Sequence, residues 1–177
     1  MPMRVLFDAN VILTYLTKRE DPFSQAIDEL FQACALDRLE GFVALHTLSI
    51  AWYVLRGSPS IHRRMKMTSM CGLLGLATTD MESVQKALGN SSFADFEDNL
   101  QDCCAQTVGA DYIVTANLKD YAHSVVPAVT PAELVALLHL LPAAKYARVR
   151  LPRRHWHALS ARGACRHIHT CWMPLAA

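Results

Sequence analysis

Residues 4–10 read R-V-L-F-D-A-N, and the meeting of an apolar run, Val5 to Phe7, with an aspartate decides the fold. A short apolar run ended by a polar residue is the pattern of a buried strand, whose last residue lies at the edge of a sheet. This predicts a strand closing at Phe7, with Asp8 exposed to whatever binds at that edge. Asn10 to Leu16 reads as a short helix immediately after it.

The same unit recurs down the chain. Ser24 is expected to cap a helix reaching about Leu39, with Ile27, Leu30, Phe31, Cys34 and Ala35 at helical spacing and Gly41 beyond its end. Phe42 to Leu45 predicts a second strand, followed by a helix from about Thr47 to Leu55. After Gly57-Ser58-Pro59, the basic stretch I-H-R-R-M-K opens a helix to about Cys71, and Leu73 to Ala77 is the third strand. Thr79 is expected to cap a helix from Asp80 to Leu88, broken by Gly89-Asn90-Ser91-Ser92. Asp95 to Val108 fits a helix with Phe96, Leu100, Cys103, Cys104 and Thr107 inward. Tyr112 to Thr115 and Ala128 to Val129 are the fourth and fifth strands, and Thr130-Pro131 opens a last helix with Glu133 in its first turn. Strands alternating with helices at these intervals predict an α/β fold: a central, mainly parallel sheet of about five strands, covered by helices on both faces in three layers.

Composition narrows the class. At 177 residues, 52% of them apolar, the chain holds one domain with a real core. No apolar run approaches the ~18 residues that a membrane span needs, and the N-terminus reads as a strand, so a soluble, cytoplasmic protein without membrane contact is expected. The cysteines at 34, 71, 103, 104, 165 and 171 show no disulfide-framework spacing and read as buried thiols of a reducing compartment. Residues 1–141 hold all 16 acids and 10 of the 17 Lys and Arg, whereas residues 142–177 hold the other seven bases and no acid. A domain over 1–141 followed by a basic, irregular or disordered tail over 142–177 is the expected organisation. The tail mixes its bases with Tyr146 and Trp156, a composition suited to phosphate contact and base stacking. Its Cys165, His167, His169 and Cys171 fall at every second position, and one straight segment does not wrap a tetrahedral ion.

In open α/β sheets ligands bind outside the carboxyl ends of the strands, which reduces the acids to a shortlist. Asp8 follows strand one, Asp98 lies in the first turn of the helix before strand four, and Asp120 lies five residues beyond that strand in V-T-A-N-L-K-D. Carboxylates held together repel one another unless a cation neutralises them. Oxygen ligands without His or Cys select Mg²⁺ or Mn²⁺ over zinc, and such ions commonly serve phosphodiester cleavage. Each acid also has a plain structural reading: Asp8 as a helix cap, Asp98 with Asp95 and Glu97 as partners of a helix dipole, and Asp120 as a solvated loop acid. A haloacid-dehalogenase-like phosphatase, with Asp8 as nucleophile, wants a second aspartate two residues on, where this chain has Asn10.

Taken in order, V-L-F-D-A-N-V-I-L, A-L-H-T-L-S-I-A-W-Y-V-L-R, D-F-E-D-N-L-Q-D-C-C-A and A-D-Y-I-V-T-A-N-L-K-D-Y resemble the PIN-domain nucleases, in particular the small VapC-like toxins, over residues 3 to about 139. The resemblance implies a metal-dependent endoribonuclease of single-stranded RNA, the toxin of a type II toxin–antitoxin pair, using Mg²⁺ or Mn²⁺ held by Asp8, Asp98 and Asp120. It further implies an antitoxin protein, and a homodimer, as partners. Asn10, Thr115 and Asn117 match the polar positions that orient ligands and waters. One departure stands out: where family members place a glutamate on the helix after strand two, this chain has Ile50, and no acid occurs between Gly41 and Thr79. Glu97 is the acid expected to compensate, with His46, Thr47 and Ser49 as nearby polar groups. A degenerate PIN domain that binds RNA or a protein without cutting is the alternative. Arg56, His62, Arg63, Arg64 and Lys66 form the domain's dense basic cluster and are expected to flank the acidic edge and contact RNA phosphates.

Overall fold

The computed structural model describes residues 2–140, so the expectations for the tail over 142–177 lie outside the described residues. The apolar runs form five strands, β1 (Met3–Phe7), β2 (Leu39–Ala44), β3 (Gly75–Ala77), β4 (Tyr112–Val114) and β5 (Ala128–Val129). Between and after them lie seven helices: α1 (Ala9–Thr17), α2 (Ser24–Ala35), α3 (Leu45–Val54), α4 (Ser60–Leu73), α5 (Met81–Gly89), α6 (Phe96–Thr107) and α7 (Pro131–Leu140). All strand pairs are parallel, in the order β3-β2-β1-β4-β5. The chain winds outward from β1 through β2 to β3, then returns to the other side of β1 with β4. The strand order therefore reverses between β1 and β4, and that switch point opens a crevice at the carboxyl edge.

Alternation along the strands divides the core. Val5, Phe7, Val43 and Val114 pack with Val11, Ile12, Leu30, Phe31, Ala51, Met70 and Leu134, from α1, α2, α3, α4 and α7, on one face. Leu6, Phe42, Ala44 and Ile113 face Cys104, Ala105 and Tyr121 on the other, where α6 lies. Asp8 shares the parity of Leu6, so continuing the pleat turns it toward α6.

Element boundaries moved where local hydrogen bonds outweighed hydropathy. α2 stops at Ala35 instead of Leu39, because Asp37 takes a left-handed φ of 55° and Leu39 already pairs with Met3 in the sheet. Ser24 is the first helical residue and not a cap, its hydroxyl donating to the Arg19 carbonyl at 3.3 Å. Asp80, not Thr79, caps α5 through the Ser83 N–H at 2.8 Å. The inward face of α6 is the larger correction: Phe96 and Thr107 are exposed and Leu100 and Cys103 half-buried, while Asn99, Gln101 and Asp102 are buried beside Cys104 and Ala105. Those side chains are tolerated inside because each makes hydrogen bonds, Gln101 through its amide nitrogen alone. Asn99 donates to the Ala87 carbonyl (3.1 Å), and Asp102 accepts from the Val125 (3.1 Å) and Val126 (3.0 Å) amides, tying α6 to the approach to β5. Of the described cysteines, Cys34 and Cys104 are buried but Cys71 and Cys103 only partly so. Among the described residues, no helix is long and apolar enough to cross a membrane.

Packing leaves no room for a side chain where β2 passes α2 and β3. A Cβ added at Gly41 would lie 2.7 Å from Phe7 Cε2, 2.8 Å from Leu74 Cδ2 and 2.9 Å from Cys34 Sγ. Gly41→Ala is therefore expected to destabilise the fold by about 1–3 kcal/mol, as overpacked cores do, read as a lower urea midpoint at unchanged m-value. Wild-type stability in this variant would mean that the three side chains give way freely.

A candidate metal centre at the carboxyl edge

β1 and β4 present their last residues side by side: Phe7 pairs with Val114, and the Asp8 amide donates to the Val114 carbonyl at 3.0 Å. Asp8 and Thr115 thus stand on either side of the switch point. The Asp8 side chain is not exposed, as its place at the strand end suggested, but buried at 3% exposure because it is held on both oxygens. Its Oδ1 accepts from the Ala9 N–H (2.5 Å), which makes it the N-cap of α1, and its Oδ2 accepts from Asn10 Nδ2 (2.6 Å) and the Thr115 hydroxyl (2.7 Å). Asn10 also donates to Thr115 Oγ1 (3.0 Å) and accepts from the Ala116 amide (3.1 Å), while the Asn117 amide donates to Thr115 Oγ1 (3.0 Å). Asp8 is thus the cap of α1, and capping leaves it at the carboxyl edge where the sheet's ligand site is expected.

Across the crevice, α6 begins with Asp95, which caps it by accepting from the Glu97 N–H at 2.7 Å. Its first turn delivers Glu97 and Asp98, and carboxylate oxygens of Asp8, Glu97 and Asp98 all lie within 4.8 Å of one another. Asp120 is not in that trio: it is exposed on the turn Leu118–Tyr121 and hydrogen-bonded by the Asn117 side chain. Its charge still reaches Asp98. Of the acids expected at the site, Asp8 and Asp98 come together with Glu97, and Asp120 lies outside that 4.8 Å trio.

The electrostatics follow from crowding. Burial pushes the Asp8 carboxyl up from 3.8 to about 6; the Thr115 hydroxyl opposes this and the Glu97 charge adds to it. Asp98 is pushed up to about 7, first by burial and then by the charges of Asp8, Asp120, Glu97 and Asp95. Tyr121, the residue after Asp120, was not singled out by its sequence. Its ring lies in the core on the α6 side, 4% exposed, and its hydroxyl is enclosed near Asp8 without a hydrogen bond of normal geometry. Burial, then the Asp8 and Asp98 charges, raise its pKa, so it stays a protonated donor among acceptors. An all-oxygen donor set with raised carboxyl pKa values and an orphaned phenol beside it suits a hard divalent cation.

A model of the PIN domain family matches residues 4–119. The chain belongs to the PIN domain family. Among solved structures the PIN domain is similar to VapBC-1 from nontypeable Haemophilus influenzae, with 16% identity and a TM-score of 0.56 over 73% of this chain and 99% of that one. It is also similar to VapBC2 from Rickettsia felis bound to a promoter DNA fragment (13%, 0.55, 72% and 98%) and to PAE2754 from Pyrobaculum aerophilum (14%, 0.53, 80% and 100%). At such identities the likeness is one of fold. No curated protein sequence matches the chain.

The basic stretch of this PIN domain packs on α1 and α3. Lys66 Nζ donates to the Leu16 carbonyl at 2.6 Å, in the last turn of the helix that Asp8 caps. At ~1.5 Å per residue, α1 sets the two more than ~10 Å apart. The other bases belong to the same region: the Arg56 guanidinium lies 4.2 Å over the Tyr53 ring, and those of Arg63 and Arg64 lie 4.5 and 5.7 Å over Trp52.

Proposed function

We propose that this PIN domain is a metal-dependent endoribonuclease of single-stranded RNA and the toxin partner of an antitoxin protein, with Asp8, Glu97 and Asp98 holding Mg²⁺ or Mn²⁺ and Asp120 at the rim. The observation that carries this is the convergence of three carboxylates from β1 and α6 within 4.8 Å at the switch point. A bound divalent cation supplies positive charge for the scissile phosphate and acidifies a water. The chain's own residues do the rest. Asn10 and Thr115 hold one Asp8 oxygen, Asn117 holds Asp120, and Tyr121 offers a hydrogen-bond donor to an anionic ligand in the crevice. Arg56, Arg63, Arg64 and Lys66 would contact RNA phosphates, Lys66 from the far end of α1.

Purified protein is expected to cut a labelled single-stranded RNA with Mn²⁺ or Mg²⁺ and to stop on addition of EDTA. Cleavage that persists in EDTA overturns the metal assignment. The second reading, a PIN domain that binds RNA or a protein without cutting, is favoured by Ile50 in place of the family's helix glutamate. It predicts RNA binding with no cleavage in either metal.

A further inference from the structure

Ile50 removes a carboxylate from α3, yet the helix still points polar groups at the acids. One turn before Ile50, His46 Nε2 lies 3.4 Å from Glu97 Oε1, an ion-pair distance, and the Nε2 atom is enclosed without a hydrogen bond of normal geometry. Beside it Thr47 is fully buried, and its hydroxyl accepts from Gln101 Nε2 at 2.9 Å. Gln101 is also fully buried, and the same amide nitrogen donates to Glu97 Oε1 at 2.9 Å. A buried glutamine is costly unless it is hydrogen-bonded, and this one spends both of its amide protons joining α3 to Glu97. Glu97 is one helical turn before Gln101, so the pair lies on one face of α6.

We infer that Thr47, Gln101 and His46 are positioning residues that replace the absent α3 carboxylate indirectly, by fixing Glu97 from α6 in the cluster as the third ligand. The geometry makes α3 the holder of a ligand where the family's glutamate would be a ligand itself. This rests on the reading of Asp8, Glu97 and Asp98 as a cation site.

The test is calorimetric titration of the full chain with Mn²⁺, which reads the site without RNA cleavage. Thr47→Val and Gln101→Leu are each expected to weaken Mn²⁺ binding by about tenfold or more, the usual effect of losing the partner that orients a ligand. Thr47→Ser, which keeps the hydroxyl, is expected to bind within about twofold of wild type, and adding Ile50→Glu to Gln101→Leu is expected to recover most of the affinity. Thr47→Val is nearly isosteric and covers the case in which Gln101→Leu fails to fold. Wild-type affinity in Thr47→Val and Gln101→Leu, with binding abolished in Asp8→Asn, would overturn the brace and leave the cation site standing. Unchanged binding in Asp8→Asn would instead remove the cation site on which the inference rests.

Discussion

Asp98→Asn is expected to lower Mn²⁺-dependent RNA cleavage by ~10³-fold while making the metal-free protein more stable at pH 8. Charge stabilisation by a bound cation is worth several kcal/mol in the transition state, and each ~1.4 kcal/mol is a factor of ten in rate. The gain in stability has a separate cause. Asp98 is pushed up to about 7 by burial and by Asp8, Asp120, Glu97 and Asp95, so holding it ionised at pH 8 works against folding. Asparagine removes that charge and eases the repulsion on Asp8. Because Asp98 is only half-buried, solvent screens much of the effect, leaving about 1 kcal/mol, which is a rise of about 2–4 °C in melting temperature. Activity assays and thermal melts in EDTA measure the two halves. A variant that loses stability, or cuts RNA at the wild-type rate, would contradict the assignment of Asp98 to a strained ligand cluster.

The stability of the metal-free protein is expected to fall as pH rises from about 4 to about 7, and Mn²⁺ is expected to cancel that fall. In the unfolded chain these carboxyls ionise near 3.8, but in the folded protein Asp8 ionises near 6 and Asp98 near 7. Across that interval the native state keeps protons that the unfolded state has lost, so stability decreases with pH and levels off above 7. For nearly fully buried Asp8 the full effect is about 3 kcal/mol. Asp80 and Glu133 are held below their ordinary values by backbone hydrogen bonds at helix starts and act in the opposite direction. They do so only in the acid range, where the two raised carboxyls are still protonated. A cation bound at 100 times its Kd adds about 2.7 kcal/mol, and more at higher pH, because its ligands must be deprotonated. Urea melts from pH 4 to 8, in EDTA and in Mn²⁺, should diverge steadily above pH 5. Parallel curves would show that the acids hold no ion.

What the sequence made legible was local. The Phe7-Asp8 break placed an acid at the end of β1, and Asp98 was recoverable because the first turn of a helix before a strand must reach the same edge. The five strands followed from short apolar runs between turn residues. What it hid depends on distant partners. Phe96, Leu100 and Thr107 looked like the inward face of α6 because apolarity was the only guide, while Asn99, Gln101 and Asp102 are inside, held by Ala87, Thr47 and the Val125-Val126 amides. Glu97 lies with Asp8 and Asp98 whereas Asp120 sits on an open turn, a difference that no local pattern marks. Tyr121 could have been suspected from its place beside Asp120, but an aromatic in a turn carries no mark of where its hydroxyl ends.

The two edges of the sheet have a consequence for association. β3 has three residues and β5 two, too few for an incoming strand to pair along, and short edges are a common protection against edge-to-edge aggregation. Among the described residues, strand addition at these edges is disfavoured, which leaves exposed helix faces as the larger surfaces for a second protein. The face formed by α3 and α4 shows Trp52, Tyr53, Val54, Ile61 and Met65 to solvent, with three arginines stacked on the two rings. An all-parallel sheet with blunted edges thus turns recognition into a matter of side chains, where a few substitutions can change the partner without disturbing the fold.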